Sequence, residues 1–141
     1  MQTGIKVGDC MKTSLVTISD DAEVHEAAAL MRDKDVGSLL VTDASKKIYG
    51  IVTERDLVVK ALAGNKCGAQ VKELACKPLK TISVDVDLSD AARQMGSKDI
   101  KRLVVTRNGK IVGIISQKDI IRISPSLYDL IAEESARKGD L

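Results

Sequence analysis

The chain has 141 residues, of which 44% are hydrophobic and 1% aromatic, so its length and composition support a core of aliphatic side chains. The scarcity of aromatic residues argues against nucleic-acid binding by base stacking. The net charge is +2 with basic and acidic residues interspersed, which argues against a polybasic patch for nucleic acid. No apolar run is long enough to span a bilayer and the N-terminus has no signal-peptide core, so we expect a cytoplasmic protein without a membrane partner. The odd number of cysteines, none in C-x-x-C spacing, suits a reducing compartment, and the single histidine argues against a zinc site.

The first half of the chain predicts a strand, a helix, two strands and a second helix, after a short N-terminal segment. The polar run Ser19–Asp21 precedes the first helix, in which apolar residues recur at helical spacing. The two later strands are continuous apolar runs separated by a polar turn. In chain order, the five elements are expected at residues 15–18, 23–34, 38–42, 48–53 and 56–62.

The second half of the chain repeats the first. A shift of 64 residues aligns Thr17–Ser19 with Thr81–Ser83, and after a one-residue deletion a shift of 63 aligns Asp56 with Asp119. The turn Arg107–Lys110 contains Asn-Gly, which predicts a β-hairpin. The expected elements are at residues 79–82, from Asp87 or Ser89 onward, 103–106, 111–116 and 119–123. We therefore place domains at 1–63 and 70–124, followed by a C-terminal helix and tail at 125–141 in which the helix runs from Leu127 to about residue 138.

Each half ends in the same motif, GIVTERDLV from Gly50 and GIISQKDII from Gly113. A buried strand stops at a hydroxyl residue, and an aspartate follows three residues later in the first turn of a helix. This aspartate has two interpretations. It can cap the helix and complement the helix dipole, or it can belong to a ligand site where free backbone N–H groups favour an anion.

Two copies of this motif in matching positions resemble a tandem pair of cystathionine-β-synthase (CBS) domains, over residues 6–123. The resemblance implies an α/β fold of two pseudo-symmetric units, each β-α-β-β-α after a short N-terminal segment, packed sheet to sheet. It also implies a stand-alone pair, since no catalytic domain is attached. Such pairs bind adenosine-containing ligands, for example AMP, ADP, ATP or S-adenosylmethionine, in two clefts between the units, and commonly form homodimers.

Carried over to this sequence, the resemblance implies two ligand clefts in which the motif aspartate accepts hydrogen bonds from ribose, and hydroxyl and basic side chains bind phosphate. One cleft would contain Ser116, Lys118, Asp119, Lys101 and Arg102, with Val16, Val36 and Ser38 around the base. The other would contain Thr53, Arg55, Asp56, Gly37 and Ser38, facing Lys80, Ile100 and Arg102.

The two clefts are expected to be unequal. The second half has Lys101 and Arg102 where the first has Gly37 and Ser38. Since Arg and Lys pair with phosphate, the Asp119 cleft should prefer phosphorylated nucleotides. The other cleft should be empty or take a less anionic adenosine derivative.

Three functions are compatible with a repeat of this kind. The first is a regulatory module without catalytic residues, catalytic cofactor or metal. Its ligand would be an adenine nucleotide, or alternatively S-adenosylmethionine or methylthioadenosine. Binding would change the packing of the two units, and an unidentified effector protein would respond to that change. The second, an enzyme acting on nucleotides, would need a nucleophile with a base, an acidic cluster for Mg²⁺ or a Walker loop, and the sequence offers none of these. The third, a structural dimerisation module with degenerate sites, would be expected to lose the aspartate or hydroxyl in one copy, and both are kept.

Overall fold

The structure is a computed structural model that describes residues 2–139, with side chains described for residues 2–136. It is a mixed α/β protein with two compact units, each built on a three-stranded sheet. The first unit is Leu15–Leu79, and the second combines the segment before Leu15 with the chain from Lys80 onward. Residues 140 and 141 of the predicted tail lie outside the described residues. Within residues 2–139, no helix is both long and apolar enough to cross a membrane.

The first unit follows the predicted order of elements. They are β1 (Thr17–Ser19), α1 (Val24–Lys34), β2 (Ser38–Thr42), β3 (Ile48–Thr53) and α2 (Glu54–Asp56), which continues into a π-helical segment, Leu57–Leu62. Strand β1 pairs with β2 in parallel, which the intervening helix α1 makes possible, and β2 pairs with β3 in antiparallel fashion.

The second unit repeats this order and adds a helix. Its elements are β4 (Thr81–Ser83), α3 (Leu88–Lys98), β5 (Arg102–Arg107), β6 (Lys110–Ser116), α4 (Gln117–Ile123) and α5 (Leu127–Gly139). Asn108 and Gly109 both have positive φ, 51° and 79°, at the turn between β5 and β6. These angles are typical of a type I′ turn and confirm the predicted hairpin. The predicted helix from Leu127 is also confirmed.

Two kinds of predicted boundary are displaced, each in both units. The first strand of each unit begins at Thr17 or Thr81, two residues later than expected, because the two residues before each lie outside the paired register with β2 and β5. The motif helices begin at Glu54 and Gln117, earlier than predicted, because the preceding hydroxyl residue is the N-cap.

Each unit has its own hydrophobic core. The apolar side of the first helix faces that core in both units, as the helical spacing predicted, although Ala28 is exposed. Helix α5 packs against α3, with Leu127 and Ile131 buried in the second core. The first core consists of Ile18, Val24, Ala27, Met31, Leu39, Val41, Val52, Ala61, Val71 and Leu74. The second consists of Val7, Cys10, Ile82, Val84, Leu88, Ala91, Ala92, Met95, Leu103, Val105, Ile115, Ile120, Leu127 and Ile131.

The N-terminal segment of each repeat packs away from its own repeat in the chain. Val7 is buried in the second core, and its N–H donates to the carbonyl of Val86 at 2.9 Å. The equivalent Val71 is buried in the first core and donates to Ala22 at 2.8 Å. Each compact unit therefore combines segments from both halves of the chain, and the division into domains at 1–63 and 70–124 stays a prediction.

Candidate functional site

The motif of the first unit forms a capping box at the start of α2. The backbone N–H of Thr53 donates to Oδ2 of Asp56 at 2.9 Å, and its hydroxyl donates to the same oxygen at 3.1 Å. The N–H of Asp56 donates back to the Thr53 hydroxyl at 3.3 Å. The aspartate thus satisfies backbone and side-chain donors at the strand-to-helix junction.

The motif of the second unit has the same geometry at α4. The N–H and hydroxyl of Ser116 both donate to Oδ2 of Asp119 at 3.0 Å, and the N–H of Asp119 donates to the Ser116 hydroxyl at 3.2 Å. One of the two interpretations of the motif aspartates, the helix cap, is therefore seen directly in both copies. The cap uses Oδ2 of each aspartate.

The second carboxylate oxygen, Oδ1, is paired with a cation in each unit. In the first unit Nζ of Lys60 lies 3.1 Å from Oδ1 of Asp56. In the second, Nη2 of Arg122 donates to Oδ1 of Asp119 at 2.9 Å, and Nζ of Lys12 lies 3.8 Å from the same atom. The aspartates themselves are buried, Asp56 being 7% and Asp119 1% exposed. The cations are not, since the side chains of Lys60 and Arg122 are 44% and 65% exposed.

The sequence reasoning missed these cations. Helical spacing could have found two of them, because Lys60 and Arg122 follow their aspartates by four and three residues and so lie on the same helix face. Lys12 is distant in sequence and could be found only by asking which N-terminal segment packs on which motif.

Local electrostatics agree with these contacts. Burial lowers the pKa of Lys60, but the hydrogen bond and charge of Asp56, with a further contribution from Cys76, outweigh burial and raise the pKa overall. Lys60 therefore stays charged beside the carboxylate of Asp56. In the second unit, burial raises the pKa of the Cys10 thiol, and the negative charges of Asp9 and Asp119 raise it further.

The remaining predicted residues gather at one edge of each sheet, where β2 or β5 begins and β3 or β6 ends. Ser38 pairs with Thr53 in the sheet register, as Arg102 pairs with Ser116. The carbonyl of Lys101 accepts from the N–H at the start of α4 at 2.9 Å, an arrangement repeated at Gly37 with 3.0 Å. The carbonyls of Val16 and Lys80 accept from β2 and β5 at 2.9 Å.

The repeat relates the predicted residues in pairs, one member in each unit. The first unit holds Val16, Val36, Gly37, Ser38, Thr53, Arg55 and Asp56, and the second holds Lys80, Ile100, Lys101, Arg102, Ser116, Lys118 and Asp119. Within each unit the structure places these residues at the motif edge of the sheet. The predicted combination of residues from both units in shared clefts stays a prediction.

The motif glycines are explained by the N-terminal segments that cross the last strand of each sheet. A Cβ built on Gly50 would lie 3.1 Å from the carbonyl oxygen of Cys76. One on Gly113 would lie 2.8 Å from that of Lys12 and 2.5 Å from Sδ of Met11. Any larger residue would push these segments away from the motif, so the glycines allow the close approach.

A cavity of about 620 Å³ lies elsewhere in the first unit, and its lining does not include the motif. It is found at the opposite edge of the sheet, where β1 and β2 end and β3 begins. The residues lining it are Thr17, Ser19, Asp21, Thr42, Asp43, Ala44, Lys46 and Ile48. Since no predicted site residue lines it, this cavity does not support the motif site.

Comparison with known proteins identifies the repeat. The sequence model of the CBS domain matches residues 7–62 and 71–126. An uncharacterized protein of Methanopyrus kandleri is 32% identical over 133 residues, which are 92% of this chain and 68% of that protein. A crystal structure of an uncharacterized protein from Pyrococcus horikoshii superimposes with a TM-score of 0.82 at 27% identity, covering 88% of this chain and 95% of that one. The CBS domain pair of protein MJ0100, crystallised with 5-methylthioadenosine and S-adenosyl-L-methionine, superimposes with a TM-score of 0.77 at 26% identity, covering 86% and 97%.

Proposed function

Because the chain belongs to the CBS domain family, whose paired domains are regulatory ligand-binding modules, we propose that it binds adenosine-containing ligands at its two strand-to-helix motifs and performs no chemistry of its own. The observation that carries this proposal is the duplicated carboxylate. Both copies hold a buried aspartate in a fixed orientation, with one oxygen engaged by the backbone and the other paired with partly exposed cations.

The proposed binding step uses Oδ1 of each aspartate. A ribose presents two neighbouring hydroxyl donors, and a carboxylate oxygen has two acceptor positions. The capping box holds Asp56 and Asp119 in place, so no rotamer entropy is lost when the ligand arrives. Lys60 and Arg122 are exposed enough to swing aside, or to remain and share the oxygen. Binding would then exchange the ion pair between a buried carboxylate and a partly exposed cation for charge-assisted hydrogen bonds to the ligand.

Charge supports an adenine nucleotide such as AMP, ADP or ATP as the ligand of the Asp119 motif. Arg102 begins the strand that lies beside Ser116, Lys101 immediately precedes it, and Lys118 is exposed in the first turn of α4. These side chains suit a phosphate. Gly37 and Ser38 occupy the equivalent positions in the first unit, so its motif suits a less anionic adenosine derivative.

S-adenosylmethionine or methylthioadenosine is a second candidate for the same sites. It is favoured by one observation, the crystallisation of the similar CBS pair of MJ0100 with both compounds. They share the adenosine group with AMP and lack the phosphate. They would therefore use the aspartates in the same way and depend less on Lys101 and Arg102.

A homodimer is proposed as the assembled form. The π-helical segment after α2 exposes Val58, Val59 and Leu62, which are 57%, 48% and 66% exposed. A second copy that covered this surface would remove apolar area from water. Light scattering of the wild-type protein and of Leu62→Lys at micromolar concentration tests this proposal, and a wild-type monomer would contradict it.

A thermal-shift panel tests the ligand class. The probes are AMP, ADP, ATP, S-adenosylmethionine, methylthioadenosine and, as a control without adenosine, ribose 5-phosphate. A ligand that binds only the native state raises the melting temperature by mass action. We expect at least one adenosine compound to do so, and ribose 5-phosphate, which offers the ribose and phosphate without the base, to raise the melting temperature less. A flat response to every adenosine compound would refute the proposal.

A further inference from the structure

Lys12 and Cys76 occupy equivalent positions in the two repeats, separated by the same shift of 64 residues. Each lies in a segment that crosses the last strand of its sheet, and each forms two backbone hydrogen bonds with a residue in the middle of that strand. The N–H and carbonyl of Lys12 pair with Ile114 at 2.8 and 2.9 Å. Those of Cys76 pair with Ile51 at 2.8 and 3.1 Å. The backbone geometry is therefore matched, and the side chain is what differs between the two units.

The side chains at this position reach the motif carboxylates. Nζ of Lys12 lies 3.8 Å from Oδ1 of Asp119. The thiol of Cys76 lies 3.6 Å from Oδ1 of Asp56. One motif aspartate thus has an ammonium group beside it at this position, and the other has a thiol.

The charge of Lys12 exceeds what Asp119 needs for pairing. Arg122 already balances the single charge of that carboxylate at 2.9 Å, so Lys12 adds a second positive charge at the same oxygen. Its side chain is 62% exposed and can follow an incoming anion. In the first unit Lys60 balances Asp56, and the thiol of Cys76 adds no positive charge to that pair. Asp119 therefore has two cations beside it, and Asp56 has one cation and a thiol.

We infer that the residue at this position sets the charge preference of each motif: Lys12 favours an anionic nucleotide at the Asp119 motif, and Cys76 leaves the Asp56 motif without that preference. This inference rests on the proposed function and adds to it a residue from outside the motif. One partly exposed ammonium near a phosphate changes an equilibrium constant by about threefold to tenfold.

The test compares AMP with adenosine, which differ only in the phosphate. Affinities are measured by NMR titration, following the amide signals of residues 116–119 for one motif and 53–56 for the other. Lys12→Met should lower the ratio of AMP to adenosine affinity at residues 116–119 by about threefold to tenfold, while Lys12→Arg should keep it. Cys76→Lys should raise the same ratio at residues 53–56. Both changes should shrink at about 1 M salt, where charges are screened within a few ångströms.

Each outcome decides a separate question. If Lys12→Met weakens AMP and adenosine by the same factor, or weakens neither, the charge assignment is wrong. A melting temperature for each variant verifies that the protein is folded, and Lys12→Arg distinguishes charge from packing. If wild-type protein binds neither compound at either motif, the proposed function itself fails.

Discussion

Replacing Asp119 by alanine should destabilise the second unit even without ligand. The substitution removes the acceptor for the N–H and hydroxyl of Ser116 and for Arg122, at a site that is 1% exposed. Loss of a helix cap costs about 0.5–2 kcal/mol, and a hydrogen bond to a charged group contributes about 1.5–3 kcal/mol. Because Arg122 regains water and the terms overlap, we expect a loss of about 2–3 kcal/mol in the free energy of unfolding.

In a protein of this size that loss corresponds to a melting temperature lower by about 6–12 °C. Differential scanning calorimetry without ligand measures it. Ser116→Ala, which keeps the carboxylate, should cost about 1 kcal/mol, and Lys118→Ala, an exposed neighbour in the same turn, should leave the melting temperature unchanged. If Asp119→Ala melts within about 2 °C of wild type, the capping role of this aspartate is refuted.

Three further changes test other parts of the fold. Gly96→Ala should lower the melting temperature, because its Cβ would lie 2.6 Å from a backbone oxygen of α5, whereas Arg32→Ala at the equivalent exposed position should not. Hydrogen bonds, first from the Ser89 hydroxyl and then from backbone amides, hold the pKa of Asp87 far below its ordinary 3.8, so its stabilisation is present above that pH and is lost on acidification. Acid titration of Asp87→Asn should show a shallower loss of stability than wild type. Burial, followed by a hydrogen bond to the carboxylate of Asp20, raises the pKa of Tyr49 from 10 to about 12. Wild type should therefore lose stability as the pH rises between these two values, and Tyr49→Phe should not show that loss.

Most of the fold could be predicted because its signals are local and occur twice. The apolar runs at Ser38–Thr42 and Ile48–Thr53 gave strands with the observed bounds, and Asn108–Gly109 gave the hairpin. The packing of each N-terminal segment with the other half of the chain could not be predicted in this way. Whether the segment around Val7 packs on the first or the second sheet depends on distant contacts, which residue periodicity does not encode.

The candidate site was predicted in part. The aspartates and their hydroxyl partners were found because the motif repeats, and the register places Ser38 beside Thr53 as expected for a common edge. The cap and the cation pairing were not separated from ligand binding, because an aspartate at the third position of a helix suits both. Lys12 was missed because it lies near Asp119 only when the N-terminal segment packs in the second unit, which local sequence patterns do not indicate.

The central claim is that the motif aspartates bind the adenosine group, and calorimetric titration of AMP into the Asp56→Asn, Asp119→Asn double variant tests it most directly. Asparagine keeps the size of the side chain and an acceptor for the cap, so the variant should remain folded, as its thermal melt will verify. We predict that wild type binds AMP and that the folded double variant binds it at least ~10-fold more weakly, since hydrogen bonds to a charged group are lost. Undiminished affinity in the folded double variant would contradict the claim.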